Sequence, residues 1–283
     1  MKTLTVVTPT YNRAELLKAA YLSLVNQTCD DFVWMIVDDG STDATGETVD
    51  SFISEGKVDI IYLKKENGGK HTAVNMALDN VQTELIAICL DSDDEFTENA
   101  VETILSLYES SGKKYSGYAF IRTELASCVD DSLDVMSWQQ AFEENLFFGE
   151  SVIVFKSDYV KQFRFPVFDG EPFCTEGYVW LQMTEPFLWS RERICRGEYL
   201  QDGYSKNIIK LFASSPKSYM LFNDLRLSLC KKIFKKAKFA AYYDGFAMLA
   251  KEKGFIGKCS SKPFAILALP AGFVFYLILK TKK

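Results

Sequence analysis

Four carboxylates stand within five residues at Asp91-Ser92-Asp93-Asp94-Glu95, directly after the apolar run Ile86-Ala87-Ile88-Cys89-Leu90. Like charges this close raise the free energy of the ionised state unless a cation sits among them. Hard oxygen ligands of this kind suit a divalent ion such as Mn2+ or Mg2+. The apolar run predicts a buried strand, so the acids emerge at its carboxyl end, where open α/β sheets hold their ligands. A charge run is also what a solvated turn looks like, and the other turns of the chain have to decide between the two.

Three earlier turns carry polar residues of matching character. Thr8-Pro9-Thr10-Tyr11-Asn12-Arg13 is a compact loop in which Pro9 stiffens the backbone. Tyr11 there offers a ring that either stacks on a nucleobase or packs beneath its own loop. Val37-Asp38-Asp39-Gly40-Ser41-Thr42-Asp43 places Ser41 or Asp43 to cap a following helix. Capping leaves Asp38 and Asp39 unexplained. A carboxylate at this position can accept a hydrogen bond from the imide N–H of uracil, a donor that cytosine lacks, which makes Asp39 a candidate uridine contact. In Glu66-Asn67-Gly68-Gly69-Lys70-His71-Thr72-Ala73-Val74-Asn75, paired glycines allow close backbone approach and Lys70 enters the first turn of a helix, an arrangement that favours a phosphate. His71 is the single histidine and forms no zinc site by itself.

The elements that position these turns follow from hydrophobic periodicity. Leu4 to Thr8, Phe32 to Val37, Val58 to Leu63 and Leu85 to Leu90 are predicted strands; Ala14 to Val25, Thr45 to Ile53 and His71 to Leu78 are predicted helices. A helix from about Thr97 to Tyr108 and strands at Tyr115 to Ile121 and Val152 to Phe155 follow, with an irregular aromatic-rich stretch from Phe163 to Trp180. The alternation predicts an α/β fold with a mostly parallel central sheet flanked by helices. The irregular stretch is a candidate binding loop in which Phe173 and Trp180 would set what is bound.

With these four ordered motifs at strand ends, residues 1–205 resemble the family 2 glycosyltransferases of the GT-A fold. The resemblance implies a donor site for a UDP-sugar built from Thr8, Tyr11, Arg13, Asp39, Gly69, Lys70, Asn75, Asp91 and Ser92. It implies that Asp39 reads uracil, and that Asp93, with Asp91 beside the nucleotide sugar, binds Mn2+ or Mg2+ against the diphosphate. Many members carry a Glu-Asp pair as base; here the corresponding stretch is Gly170-Glu171-Pro172-Phe173-Cys174-Thr175-Glu176-Gly177, similar to the E-x-F-x-x-E variant of polysaccharide-assembly members. The base is therefore placed on Glu176, with Glu171 and Asp169 as rivals. Inverting members use direct displacement, so no covalent intermediate is expected. Tyr199 to Ser205 resembles the segment that closes the catalytic domain, which would set Asp202 and Tyr204 near donor or acceptor, although Asp202-Gly203 also reads as a plain turn.

The remaining 206–283 form a basic, apolar, helical extension. From Lys206 onward there are 16 Lys and Arg against 3 Asp and Glu, whereas the part before it has 16 against 35, within a net charge of −6. Such a tail is drawn to anionic lipid, and the acidic body argues against nucleic acid as a partner. Pro263 to Leu279 is charge-free but short of the roughly 20 residues of a clean span and is interrupted by Pro270 and Gly272. Insertion along the membrane surface or as a re-entrant hairpin is expected, the competing possibility being a buried helix covering the sheet. Seven scattered cysteines without a C-x-x-C pair, and an amino terminus leading straight into a strand, point to a cytoplasmic protein at the inner face of the plasma membrane.

The expected activity is transfer of a hexose or N-acetylhexosamine from a UDP-sugar to a lipid-linked saccharide in capsule, O-antigen or exopolysaccharide synthesis. A nucleotidyltransferase would need a glycine-rich first loop, which Thr8 to Arg13 lacks. A non-catalytic nucleotide-sugar-binding module would need neither the acid cluster nor a base.

Overall fold

A computed structural model describes residues 2–88, 92–122, 134–144, 146, 151–197 and 208–282. The elements in chain order are β1 (Leu4–Thr10), α1 (Ala14–Val25), β2 (Phe32–Asp38), α2 (Thr45–Glu55), β3 (Ile60–Lys64), α3 (Lys70–Asn80), β4 (Leu85–Ile88), β5 (Asp94–Phe96), α4 (Ala100–Ser110), β6 (Gly117–Arg122), β7 (Val135–Met136), α5 (Trp138–Glu144), β8 (Ser151–Lys156), α6 (Ser157–Val160), α7 (Glu176–Trp180) and β9 (Phe187–Gly197). Helices α8 (Ile208–Ser214), α9 (Pro216–Leu229), α10 (Ile233–Leu249), α11 (Phe255–Lys258) and α12 (Lys262–Lys280) follow.

One sheet runs β3-β2-β1-β4-β8-β6-β9-β5, with β7 on β9. Strands β1 to β4 are mutually parallel where they pair. The second half is mixed, because β8 lies antiparallel to both β4 and β6, β9 parallel to β6, and β5 antiparallel to β9. The two-residue period of a strand sends alternate side chains to opposite faces. Leu4, Val6, Trp34, Ile36, Leu85 and Ala87 therefore join one core with α1, α2 and α4. Val7, Met35, Val37, Ile86 and Ile88 join a second core with α3 and α7. Burial on both faces is why these strands read as unbroken apolar runs.

The parallel order 3-2-1-4 puts a topological switch between β1 and β4, and the crevice outside their carboxyl ends is where such sheets bind ligands. The turns after β1, β2 and β3 open there.

A third core is built by α8 to α12, with Phe142 and Phe173 packed against it. Helix α12 corrects the expectation of a re-entrant hairpin: it is continuous through Pro270, and Gly272 serves helix packing instead of a turn. A Cβ at Gly272 would lie 2.5 Å from the Asp244 Cβ on α10, so only glycine permits the crossing. Ala265, Ala268, Gly272 and Leu279 are buried, while Ile266, Leu267, Phe273, Val274, Leu277 and Ile278 are exposed on the opposite face. Each such side chain leaves roughly 1.5–3 kcal/mol of burial unrealised. Among the described residues α12 is the one helix long and apolar enough to cross a membrane.

Candidate active site

The turns at the crevice hold one another by polar bonds. Asn12 adopts φ 53°, a left-handed conformation that asparagine tolerates better than most residues. Its Oδ1 accepts from the Thr42 backbone N–H at 2.8 Å, and its own N–H donates to Ser41 Oγ at 2.9 Å. Asp43 receives the Thr45 N–H at 3.0 Å on one oxygen and the Ala14 N–H at 3.3 Å on the other, so the expected cap of α2 also serves the first residue of α1. Ser41 is spent on Asn12 and does not cap.

Adjacent Asp38 and Asp39 do different work. Asp38 is fully buried and accepts from Ser41 N–H at 2.7 Å and Tyr62 O–H at 2.7 Å, with Lys64 at 3.7 Å. Burial pushes its pKa up, but these hydrogen bonds and Lys64 reverse the effect and hold it below the usual carboxylate range. Asp39 turns to the third turn: Oδ1 accepts from Lys65 Nζ at 2.6 Å and Gly68 N–H at 3.0 Å, and Oδ2 from Gly69 N–H at 2.7 Å. Gly40 allows this approach, since a Cβ there would sit 2.8 Å from the Asn67 nitrogen.

The third turn in turn meets the irregular stretch. Gly69, at φ 92°, lies so close to the Pro172 carbonyl that a Cβ would collide with it. Directly beyond, Lys70 Nζ is 3.0 Å from Glu176 Oε1. The expected phosphate-side cation and the expected base are thus neighbours, one at the start of α3 and the other at the start of α7. Tyr11, 47% exposed, and half-buried Arg13 stand at the end of β1, and the Arg13 guanidinium makes no ion pair among the described residues.

The acid cluster separates by role. Asp91 lies outside the described residues, as do Asp202 and Tyr204. Ser92 is buried, Asp93 half-buried, and Glu95 exposed. Asp94 is drawn into β5, where it pairs with Arg122 beside Gly197 and is buried. A carboxylate and a hydroxyl are hard donors suited to Mn2+ or Mg2+, which use one or two protein carboxylates plus substrate phosphate oxygens. Asp93 and Ser92 fit such an ion in donor type, although no group of three His, Cys, Asp or Glu forms a protein-only cage among the described residues.

Several expected site residues are turned elsewhere. Thr8 is fully buried, and its Oγ1 accepts from the Trp34 indole at 2.9 Å, inside the core and away from the crevice. Asn75 clamps the Phe165 backbone with both ends of its amide, at 2.9 and 3.0 Å. Glu171 accepts from Lys217 N–H at 2.7 Å and from Ser218 N–H and Oγ, both at 2.9 Å, at the start of α9. Asp169 is exposed in the turn before Gly170. His71 is 3% exposed; burial holds its pKa below the ordinary value, with Asp39 opposing and Lys65 reinforcing the effect, and its Nδ1 has no partner among the described residues. Phe173 and Trp180 are packed inward, Phe173 beside Tyr219 and Trp180 against Phe155. Lys65, Asn12 and the Pro172 carbonyl were not expected here. Only Asn12 carried a local signal, as an asparagine in a turn.

A half-parallel sheet whose polar turns converge at its switch point is an α/β architecture that holds its ligand there. The model of the Glycosyl transferase family 2 matches residues 5–169, more than half of the chain, and the chain belongs to that family. It is a glycosyltransferase with the GT-A fold. It is 28% identical over 293 residues to the GalNAc(5)-diNAcBac-PP-undecaprenol beta-1,3-glucosyltransferase of Campylobacter jejuni, covering 94% of this chain and 89% of that protein. The fold is shared with S. aureus TarS 1–349 in complex with UDP-GlcNAc, at a TM-score of 0.62 and 16% identity over 99% of this chain and 91% of that one. It is shared also with the mannosyltransferase PcManGT of Pyrobaculum calidifontis in complex with GDP-Man and Mn2+, at 0.57 and 17%, over 98% and 82%.

Proposed function

We propose that this chain is an inverting, metal-dependent transferase that moves a hexose or N-acetylhexosamine from a UDP-sugar to a lipid-linked saccharide in bacterial cell-surface polysaccharide assembly. The carrying observation is the junction of Asp39, Gly68-Gly69-Lys70 and Glu176 outside the carboxyl ends of the parallel strands. Asp39 gives Oδ2 to a single bond and so keeps acceptor capacity for a uracil N–H. Tyr11 offers its exposed ring to the base, and the α3 amino terminus with Lys70 faces the diphosphate. Asp93, with Asp91, would hold the divalent ion, which when bound neutralises charge on the departing diphosphate. Glu176, oriented by Lys70, takes the proton of the attacking acceptor hydroxyl. Thr8, Asn75 and Glu171 support the site without touching the donor.

The undecaprenol-linked acceptor in the name of the Campylobacter relative supports a lipid-linked acceptor here. The exposed apolar row of α12, ended by Lys262 and Lys280, supports a cytoplasmic enzyme docked on an anionic membrane surface. Deleting residues 263–283 should move the protein from the membrane fraction to the soluble one; unchanged fractionation would overturn the docking.

Titration calorimetry of UDP, CDP and GDP, with and without Mn2+, on the wild type and Asp93→Ala tests the donor. Selective UDP binding that needs the metal and is lost in the variant is expected. Preference for GDP, the nucleotide part of the GDP-Man held by the mannosyltransferase neighbour, or binding indifferent to Mn2+ would sink the assignment.

A further inference from the structure

We propose that Glu171 is a positioning residue which, by capping α9 from a distance, holds the segment carrying Glu176 against Lys70. The proposal rests on Glu176 being the base. Residues 163–175 form neither helix nor strand, so no ladder of their own fixes the path that leads to Glu176. They are fixed from two sides instead. On one side the Pro172 carbonyl presses on Gly69, immediately before Lys70. On the other the Glu171 carboxylate takes the backbone N–H groups of Lys217 and Ser218 and the Ser218 hydroxyl.

Lys217 and Ser218 follow Pro216, the first residue of α9, and their N–H groups are among the orphan donors of a helix start. The local cap position, Ser215, supplies no side-chain bond, so the carboxylate arrives from a residue distant in sequence. Three charge-assisted bonds at the positive end of a 14-residue helix make a tight anchor. Neighbouring contacts continue it: the Phe173 ring stacks beside Tyr219 at 6.3 Å between centroids, and a Cβ at Gly177 would lie 3.2 Å from the Phe222 ring. Glu171 and Pro172 therefore tie the α9 start to the α3 start, and Glu176 follows four residues later. With both oxygens spent and the residue 9% exposed, Glu171 could accept a substrate proton only by giving up the cap.

The test uses full-length Glu171→Ala and Glu171→Gln, with Ser218→Ala as a milder variant should the first fail to fold. Hydrogen exchange over residues 168–180, UDP calorimetry, and UDP release from UDP-glucose, UDP-GlcNAc and UDP-GalNAc are measured on each. Expected for Glu171→Ala are at least tenfold faster exchange in that segment and at least a tenfold fall in kcat, with donor KM and UDP affinity within twofold. Glu171→Gln, which keeps one carbonyl acceptor, should fall between. Unchanged exchange over 168–180, or unchanged kcat in a variant whose exchange has risen, overturns the proposal. Glu176→Gln separates the two ideas: if it leaves kcat intact the base assignment fails, while the exchange measurement still decides whether Glu171 holds the segment.

Discussion

The two sides of the crevice are built differently. The turns after β1, β2 and β3 hold one another through Asn12, Asp38, Asp39 and Asp43, whose partners all lie between residues 12 and 69. The segment that carries Glu176 is held by Gly69 on one side and by Ser218, Tyr219 and Phe222 on the other. The turns after β1, β2 and β3 are thus fixed within the first part of the chain, whereas the segment that carries Glu176 depends on a helix that starts 40 residues after it. The carboxyl-terminal helices therefore brace this wall of the crevice, through the start of α9.

The largest effect expected from this division is on Glu176. Glu176→Gln should lower kcat about 10²–10⁴-fold, the usual contribution of a positioned base. UDP binding by calorimetry should change far less, because the bonds of Asp39 to Lys65, Gly68 and Gly69 do not involve Glu176, and Lys70 loses only an ion-pair partner. A matched loss of UDP affinity would show that the two sides are one unit.

Next is Asp39→Ala, which strips a buried carboxylate from Lys65 and from two backbone amides. Losing the charge-assisted bond to that half-buried lysine and leaving two amides unpaired should cost about 1–3 kcal/mol in denaturant unfolding, and UDP binding should vanish from the folded fraction. Retention of normal UDP affinity would remove Asp39 from the donor site and leave it as a strut only.

A third prediction concerns Asp244, in the packing of the base side. It is fully buried on α10 beneath Gly272, and both its oxygens lack a partner among the described residues. Tyr243 and Cys259 lie nearby, and desolvation pushes its pKa up to about 7. The folded chain then holds this proton more tightly than the unfolded chain does, so its stabilisation is complete below about pH 4 and is lost as pH rises to about 7. Asp244→Asn should flatten that stretch of a melting-temperature profile and raise stability at pH 8 by about 2–3 kcal/mol. A wild-type profile already flat between pH 5 and 8 would refute it.

Legibility in the sequence follows the same line between local and distant causes. The buried parallel strands and the turns that end them were readable, because burial on both faces leaves an unbroken apolar run closed by turn residues. Helix α1 has the expected bounds, Ala14–Val25. Strand β9 was not expected, since Arg191-Glu192-Arg193 breaks its apolar alternation. The orientation of individual side chains was equally hidden. Asp94 looks like its neighbours until Arg122, on another strand, draws it inward, and nothing near Glu171 in sequence shows that its carboxylate accepts from the start of α9. Asn75 lies in the right motif, but its amide is spent on Phe165, 90 residues away.

The smallest predicted effect tests the boundary between site and core at Thr8. Its hydroxyl sits at the carboxyl-terminal part of β1, two residues from the crevice, yet it faces the indole of Trp34. Thr8→Val keeps the shape and the strand preference of the residue but leaves the buried indole N–H unpaired, at a cost of about 1 kcal/mol. For a chain of this size that corresponds to a fall in melting temperature of about 2–4 °C. UDP affinity should be unchanged, as expected of a bond inside the α1 and α2 core. A fall in UDP affinity beyond the loss of folded protein would return Thr8 to the donor site, and would mean that the nucleotide turns depend on the core beneath them as closely as Glu176 depends on α9.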